Sequence, residues 1–392
     1  MLLFNMKNYL KEQFIKIYQT EPKVFLSCGG RFEVLGNHTD HNHGLCIAAT
    51  CNLSIYCAVS KRDDLIVNAY SEGYGSFSLD LNNLDIVEEE KGRPVSLIRG
   101  ISSYLSKEYN YGGFDIYIKS NVPSGAGVSS SAAFELLIAQ TINVLFNEEK
   151  VPLMTLCKAA QFAERTYYGK MCGLLDQIGV AYGGLVYIDF KDIENPYVLP
   201  LRMNLDNYQF VIVNSGGSHA GLDHLYKAIP EDMFKIANCF GKQYLRDVDY
   251  ELVKIEKNNL IAKCGQSAYD RAIHFYEESK RVETAITAIK NNDINTLITA
   301  INESRLSSTS LLKNMCVEDK VQDSPLEACE LILKASHGKA GVKINGGGFA
   351  GSVIALVPND ELDNVVKAAK DRYGENNIHL VNVRNDKPSI LK

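Results

Sequence analysis

The sequence predicts a mixed α+β chain arranged as two lobes. Three observations predict it. The 392 residues exceed one ordinary hydrophobic core, and about 150 residues per domain makes two or three domains. Glycines cluster at 29–44, 112–127, 169–184, 216–221 and 338–351, and four of these clusters adjoin strand-like runs. The stretch from 230 to 335 is patterned mostly as helix, as in DRAIHFYEESKRVETAITAIK.

The elements follow in order. MLLFNMKNYLKEQF reads as an amphipathic helix; it lacks the apolar core and cleavage site of a signal peptide. FDIYIKS (114–120) alternates apolar and polar residues, as a half-buried strand does. It runs through PSGAGVSSSAA (123–133) into FELLIAQTINVLF, which has helical spacing. GLVYIDF (184–190), YQFVIVNSG (208–216) and SVIALVP (352–358) are further strands. Polar residues and two prolines in KDIENPYVLP (191–200) mark the boundary, giving lobes 1–195 and 196–392.

Composition narrows the function. The 41 Lys and Arg against 47 Asp and Glu give a net charge of −6 with no basic run, a poor match to nucleic acid or an anionic membrane. No apolar stretch reaches the ~20 residues that span a bilayer. The ten Cys include no CxxC, so buried free thiols in a reducing cytoplasm are expected.

PSGAGVSSSAA lies between a strand and a helix. Gly125 and Gly127 remove the Cβ atoms that would block close backbone approach. Ser129, Ser130 and Ser131 offer hydroxyls and free amides at a helix N-terminus, where a phosphate is favoured. An ordinary Gly/Ser turn capping a helix reads the same way. A GxGxxG dinucleotide fingerprint fails at Ser130, which weakens a nicotinamide dehydrogenase reading, and no Walker loop occurs. The string resembles the second motif of the superfamily of galactokinase, homoserine kinase, mevalonate kinase and phosphomevalonate kinase. The resemblance implies that Gly125, Ala126, Gly127, Val128, Ser129, Ser130 and Ser131 wrap the phosphates of ATP.

Residues 30–44, GRFEVLGNHTDHNHG, resemble the galactokinase signature GRxNxIGEHxDYxxG. Asp40 can accept from two sugar hydroxyls, His38 can bond a hydroxyl or hold the loop, and Arg31 can offset charge on a transferring phosphoryl group. A metal cluster of His38, His41, His43 and Asp40 is the competing reading, disfavoured because residues so close in a turn rarely converge on one ion. Asn37 stands where the signature has Glu, and His41 where it has Tyr. The resemblance places that Glu near the sugar C6 hydroxyl. Asn37 thus removes a negative charge and predicts tolerance of a C6-altered sugar such as galacturonate.

CGLLDQ (172–177) resembles the family's CGxxDQ, which makes Asp176 the expected base for the C1 hydroxyl. Glu164, twelve residues earlier, matches the family's magnesium-binding Glu, with Ser131 as a second ligand. Tyr226, seven residues after His219, matches a sugar-touching Tyr, and NGGGFAG (345–351) resembles the third motif, GGGFGG. The resemblance implies a two-lobe fold: an N-terminal lobe like ribosomal S5 domain 2 that binds nucleotide and sugar, and a ferredoxin-like C-terminal lobe. It implies ATP- and Mg²⁺-dependent phosphorylation of an aldohexose at C1, galactose first. A sugar- and ATP-binding regulator without catalysis is the alternative from another class.

Overall fold

The computed structural model describes residues 2–123, 126–217 and 221–391. Two strands form its spine: β1, Val24–Leu35, and β2, Leu45–Lys61, antiparallel and joined by the turn 36–44. Both are buried over most of their length, so neither shows the alternation of a one-faced strand. β3 is Ile66–Ser71, β4 Gly75–Asp80 and β5 Phe114–Ser120. β6 is Leu185–Asp189 and β7 Tyr197–Leu201. β2 is long enough to serve two neighbours. Its first residues pair with β6 (Leu45↔Asp189) and its last with β5 (Lys61↔Phe114). β3 and β5 are parallel, and the helix Pro94–Leu105 lies in the connection between them.

The second sheet is wholly antiparallel. β8, Tyr208–Asn214, β9, Gly341–Ile344, β10, Ser352–Pro358, and β11, Ile378–Val381, lie in the order β11-β8-β10-β9. That is the ferredoxin-like order, four-one-three-two within the lobe. A short last strand, β12, Ser389–Ile390, returns to pair with β1. The first sheet therefore runs past residue 195 through β7 and takes back the C-terminal strand.

Sequence and structure agree on β5, β6, β8 and β10, on the helix Leu2–Tyr18 and on the helix Ser130–Asn147. The first sheet packs a core of Leu26, Ile116, Leu136, Ile138 and Ile178 against that helix and Leu175–Ala181. A second core joins the lobes. Phe32 and Ile47 of the spine meet Phe210 and Ile354 of the second sheet, and Val282 and Ile289 of the helix Gln266–Lys290. The rings of Phe32 and Phe210 are 4.6 Å apart. The cysteines depart from expectation: Cys28, Cys46, Cys51, Cys57, Cys157 and Cys329 are buried, but Cys172, Cys264 and Cys316 are partly open and Cys239 is exposed. Among the described residues no helix is long and apolar enough to cross a membrane.

Candidate active site

Arg31 and Asp176, 145 positions apart in sequence, meet at the centre. Arg31 projects from β1 and is 7% exposed; its Nε donates to Asp176 Oδ1 at 2.7 Å and its Nη1 to Gly127 O at 2.9 Å. Ser129 Oγ donates to Asp176 Oδ2 at 2.5 Å. Two glycines make this junction possible. A Cβ on Gly30 would stand 2.5 Å from Val128 O, and one on Gly179 3.3 Å from Arg31 Cβ. Burial pushes the Asp176 carboxyl up, but the Arg31 charge and hydrogen bond, with the Ser129 hydroxyl, hold it below the ordinary value. Asp176 is thus an ionised acceptor with a fixed cation at its side.

The phosphate loop has divided duties. Gly125 lies outside the described residues. Gly127 has φ +70°, and its carbonyl also accepts from Asn345 Nδ2 at 3.0 Å, which ties the loop to the third motif. Ala126 and Val128 bury their side chains in the interlobe core and offer the loop side only backbone. The Ser129 hydroxyl is spent on Asp176. Ser130 and Ser131 line a cavity of about 590 Å³ with Glu164 and Lys170, and Phe77, Phe134 and Tyr168 close its apolar side. Such a cavity suits a flat base at one end and phosphates at the other. A larger cavity of about 780 Å³ between β6–β7 and β8 is lined by none of the predicted site residues.

Glu164 sits on a π-helical turn, Ala163–Tyr168, and is 2% exposed. Its Oε1 accepts from Lys170 Nζ at 2.7 Å and from Ser131 Oγ at 3.4 Å. No group of three His, Cys, Asp or Glu able to hold a metal occurs among the described residues. A magnesium ion that keeps water and phosphate ligands needs only one carboxylate and one hydroxyl, so Glu164 and Ser131 fit it. Lys170 supplies positive charge at the same oxygen.

Two residues that sequence reasoning missed complete this corner. Gln177 Nε2 donates to Glu164 Oε2 and to Glu135 Oε2, each at 3.1 Å. Gln177 Oε1 and Glu135 Oε1 are both buried without a partner. Burial, with the Glu164 charge nearby, pushes Glu135 up to about 8, so it carries a proton at neutral pH. A protonated Glu135 keeps its Oε2 as the acceptor for Gln177 Nε2 and adds no second charge beside Glu164. Glu135→Gln mimics the protonated acid and should keep the wild-type melting temperature. Glu135→Ala, which strands the Gln177 amide, should cost about 1–3 kcal/mol in chemical denaturation. The available signal was a lone acid in AAFELLIAQ, one helical turn after Ser131.

The sugar motif forms the turn between β1 and β2. Asp40 is brought within reach of the Asp176 segment because Gly173 has no side chain: a Cβ there would stand 2.4 Å from Asp40 Oδ2. Burial raises Asp40 to about 6. Asn37, His38 and Tyr226 each reach a carbonyl of the glycine loop, which for His38 is the loop-holding role. Asn37 Nδ2 donates to Gly346 O (2.7 Å), His38 Nε2 meets Gly347 O (2.8 Å) and Tyr226 Oη donates to Gly348 O (2.6 Å). Asn314, unpredicted, adds Nδ2 to Gly347 O at 3.1 Å. These four side chains seat the glycine loop.

Hydrogen-bond logic also fixes the histidines. Gly347 O can only accept, so His38 Nε2 carries the proton and its Nδ1 accepts from His41 Nε2 at 3.3 Å. His41 Nδ1 then accepts from Asn42 Nδ2 at 3.0 Å. Burial lowers both imidazoles, which agrees with the neutral forms this relay needs.

The expectation that Asn37 leaves an uncharged corner needs correction. Glu33, where the signature has Asn, places its Oε1 3.2 Å from Asn37 Nδ2 and 2.7 Å from the fully buried Lys343 Nζ. The carboxylate has moved by one side chain and is matched by a cation.

The helix Gln266–Lys290 holds the turn from outside. His274 Nε2 meets Asn37 O at 2.9 Å, and Glu278 Oε1 accepts from Gly36 N at 3.0 Å and Ser304 Oγ at 2.7 Å. Burial drives His274 down to about 4, against the pull of Glu278. A histidine kept neutral by the fold stabilises it fully above the unfolded value of about 6.5, and that contribution is lost as pH falls. We expect denaturant midpoints to drop between pH 6.5 and 4, His274 alone accounting for up to about 3 kcal/mol. Under His274→Gln that slope should flatten.

Comparisons with known proteins bear on this geometry. The family model "GHMP kinases N terminal domain" matches residues 96–184, and "Galactokinase galactose-binding signature" matches residues 12–61. The chain is 30% identical over 370 residues to a galactokinase of Glaesserella parasuis, covering 91% of this chain and 90% of that one. A galactokinase of Clostridium tetani is 30% identical over 376 residues, covering 94% and 92%. Among solved structures, Lactococcus lactis galactokinase complexed with galactose superposes with a TM-score of 0.83 at 23% identity, over 98% of this chain and 99% of that one. Methanococcus jannaschii mevalonate kinase superposes with a TM-score of 0.65 at 16% identity, over 92% and 98%. At these identities the two structures speak for the fold.

Proposed function

This chain belongs to the galactokinase family, and from that premise we propose that it transfers the γ-phosphoryl group of ATP to O1 of galactose, yielding galactose 1-phosphate and ADP. One observation carries the reading: the Asp176 carboxylate is held between Arg31 Nε and Ser129 Oγ, where the sugar turn meets the phosphate loop.

The roles follow from the geometry. ATP enters the 590 Å³ cavity with its phosphates toward Ser130, Ser131 and Lys170. Glu164 and Ser131 would hold Mg²⁺, which would neutralise phosphate charge. Galactose lies against the turn 36–44 with Asp40 accepting from its hydroxyls. Asp176, kept ionised, orients the C1 hydroxyl and takes its proton as the phosphoryl group transfers. Arg31 stays cationic beside it and faces the charge that builds on the phosphoryl oxygens. Glu135 and Gln177 position Glu164. We assign the reaction to the ATP-supplied cytoplasm.

The Glu33–Lys343 pair favours galactose over galacturonate. A 6-carboxylate at this corner would find the buried Lys343 already matched by Glu33. The chain keeps all four of Arg31, Ser131, Glu164 and Asp176, with Arg31 paired to Asp176 and Ser131 bonded to Glu164, which supports a catalyst over a silent sensor. Incubation with Mg-ATP and a panel of neutral and acidic hexoses, with the product phosphate located by phosphorus NMR, tests this. We expect galactose 1-phosphate; phosphate at O6, or turnover with galacturonate alone, would overturn the reading.

A further inference from the structure

Two cysteines meet at the surface, at the ends of two helices. Cys239 is the last residue of the helix Asp223–Cys239 and is exposed; Cys264 is the last residue of the helix Lys257–Cys264 and is partly exposed. Their Sγ atoms lie 3.5 Å apart, in mutual contact. We propose that Cys239 and Cys264 are a thiol modification site that closes reversibly into a disulfide. This inference does not depend on the function proposed above.

The geometry is close to the product. The sulfurs must approach by about 1.5 Å to reach a bond of about 2.05 Å, and the Cys239 side chain is exposed. Burial and the neighbouring Cys239 push the Cys264 thiol above its ordinary value, with Lys235 and Lys263 pulling the other way. The oxidant is a small-molecule disulfide such as oxidised glutathione. The Cys239 thiolate, more open to solvent, attacks one of its sulfurs, forming a mixed disulfide and releasing one glutathione. The Cys264 thiolate then attacks the Cys239 sulfur and releases the second. Two electrons and the two cysteine protons leave with the two glutathione thiols, so the exchange balances.

The bond would staple helices that are already packed. Arg271 Nη1 donates to Asp232 Oδ2 at 2.7 Å and to Ala228 O at 3.0 Å, tying the helix that follows Cys264 to the helix that ends at Cys239. Tyr226 lies thirteen residues before Cys239, about 20 Å along the same helix. A staple so placed raises the melting temperature by a few degrees, by restraining the unfolded chain, and leaves turnover unchanged.

The test treats the intact protein with oxidised glutathione, alkylates it without reductant and maps the peptides by mass spectrometry. The expected result is one Cys239–Cys264 link, a fall from ten free thiols to eight, a higher melting temperature and full reversal by dithiothreitol. Cys239→Ser and Cys264→Ser should each abolish the link and the thermal shift. Ten thiols retained, glutathione left on Cys239 in the wild type, or a link between other cysteines would overturn the proposal.

Discussion

Asp176→Asn should lower kcat by about 10²–10⁴ while leaving galactose affinity close to wild type. The substitution keeps the side chain's shape and its acceptor toward Arg31, but removes the group able to take the C1 proton. Sugar affinity is assigned to Asp40 and the turn 36–44, which the change does not touch. Calorimetric titration with galactose and single-turnover kinetics separate the two effects. Near-normal turnover in this variant would strip Asp176 of its role. Loss of sugar affinity with kcat preserved would make Asp176 a binding residue.

Arg31→Ala should act twice. Loss of the cation from the transferring phosphoryl group should cost about 10²–10³ in kcat. The second effect is in the pH profile. Arg31 is what holds the Asp176 carboxyl down against burial, so its removal lets that carboxyl rise. The base must be ionised to work. The acid limb of kcat/KM should therefore move to higher pH, and the variant should lose activity at a pH where the wild type still works. Arg31→Lys restores the charge without the paired reach to Asp176 Oδ1 and Gly127 O, and should recover the pH limb better than the rate. An unmoved limb in Arg31→Ala would show that another group sets Asp176's ionisation.

Much of the fold was written in local patterns. FDIYIKS alternates and became β5; SVIALVP follows its glycines and became β10. The spine was hidden because β1 and β2 are buried along most of their length, and strands without a wet face show no alternation. The meeting of Arg31 with Asp176 was legible only through motif resemblance, since nothing in local spacing links positions 145 apart. The polar partners were the least legible. Asn37, His38 and Tyr226 were recognisable as site residues, but their donors go to the carbonyls of 346–348, partners more than 120 positions away. Gln177 stood beside the predicted base without a role until its amide was seen between two carboxylates. His274 and Glu278 lie in the helical stretch where the motif resemblance is weakest, and a polar residue inside a helix announces no target.

The most direct measurement is a crystal structure of the protein with galactose and a non-hydrolysable ATP analogue. The account predicts O1 of the sugar about 2.6–3.2 Å from an Asp176 carboxylate oxygen, in line with the γ-phosphorus and with the Arg31 guanidinium at its side. A sugar bound with another hydroxyl facing the γ-phosphate, or with O1 beyond reach of Asp176, would contradict it.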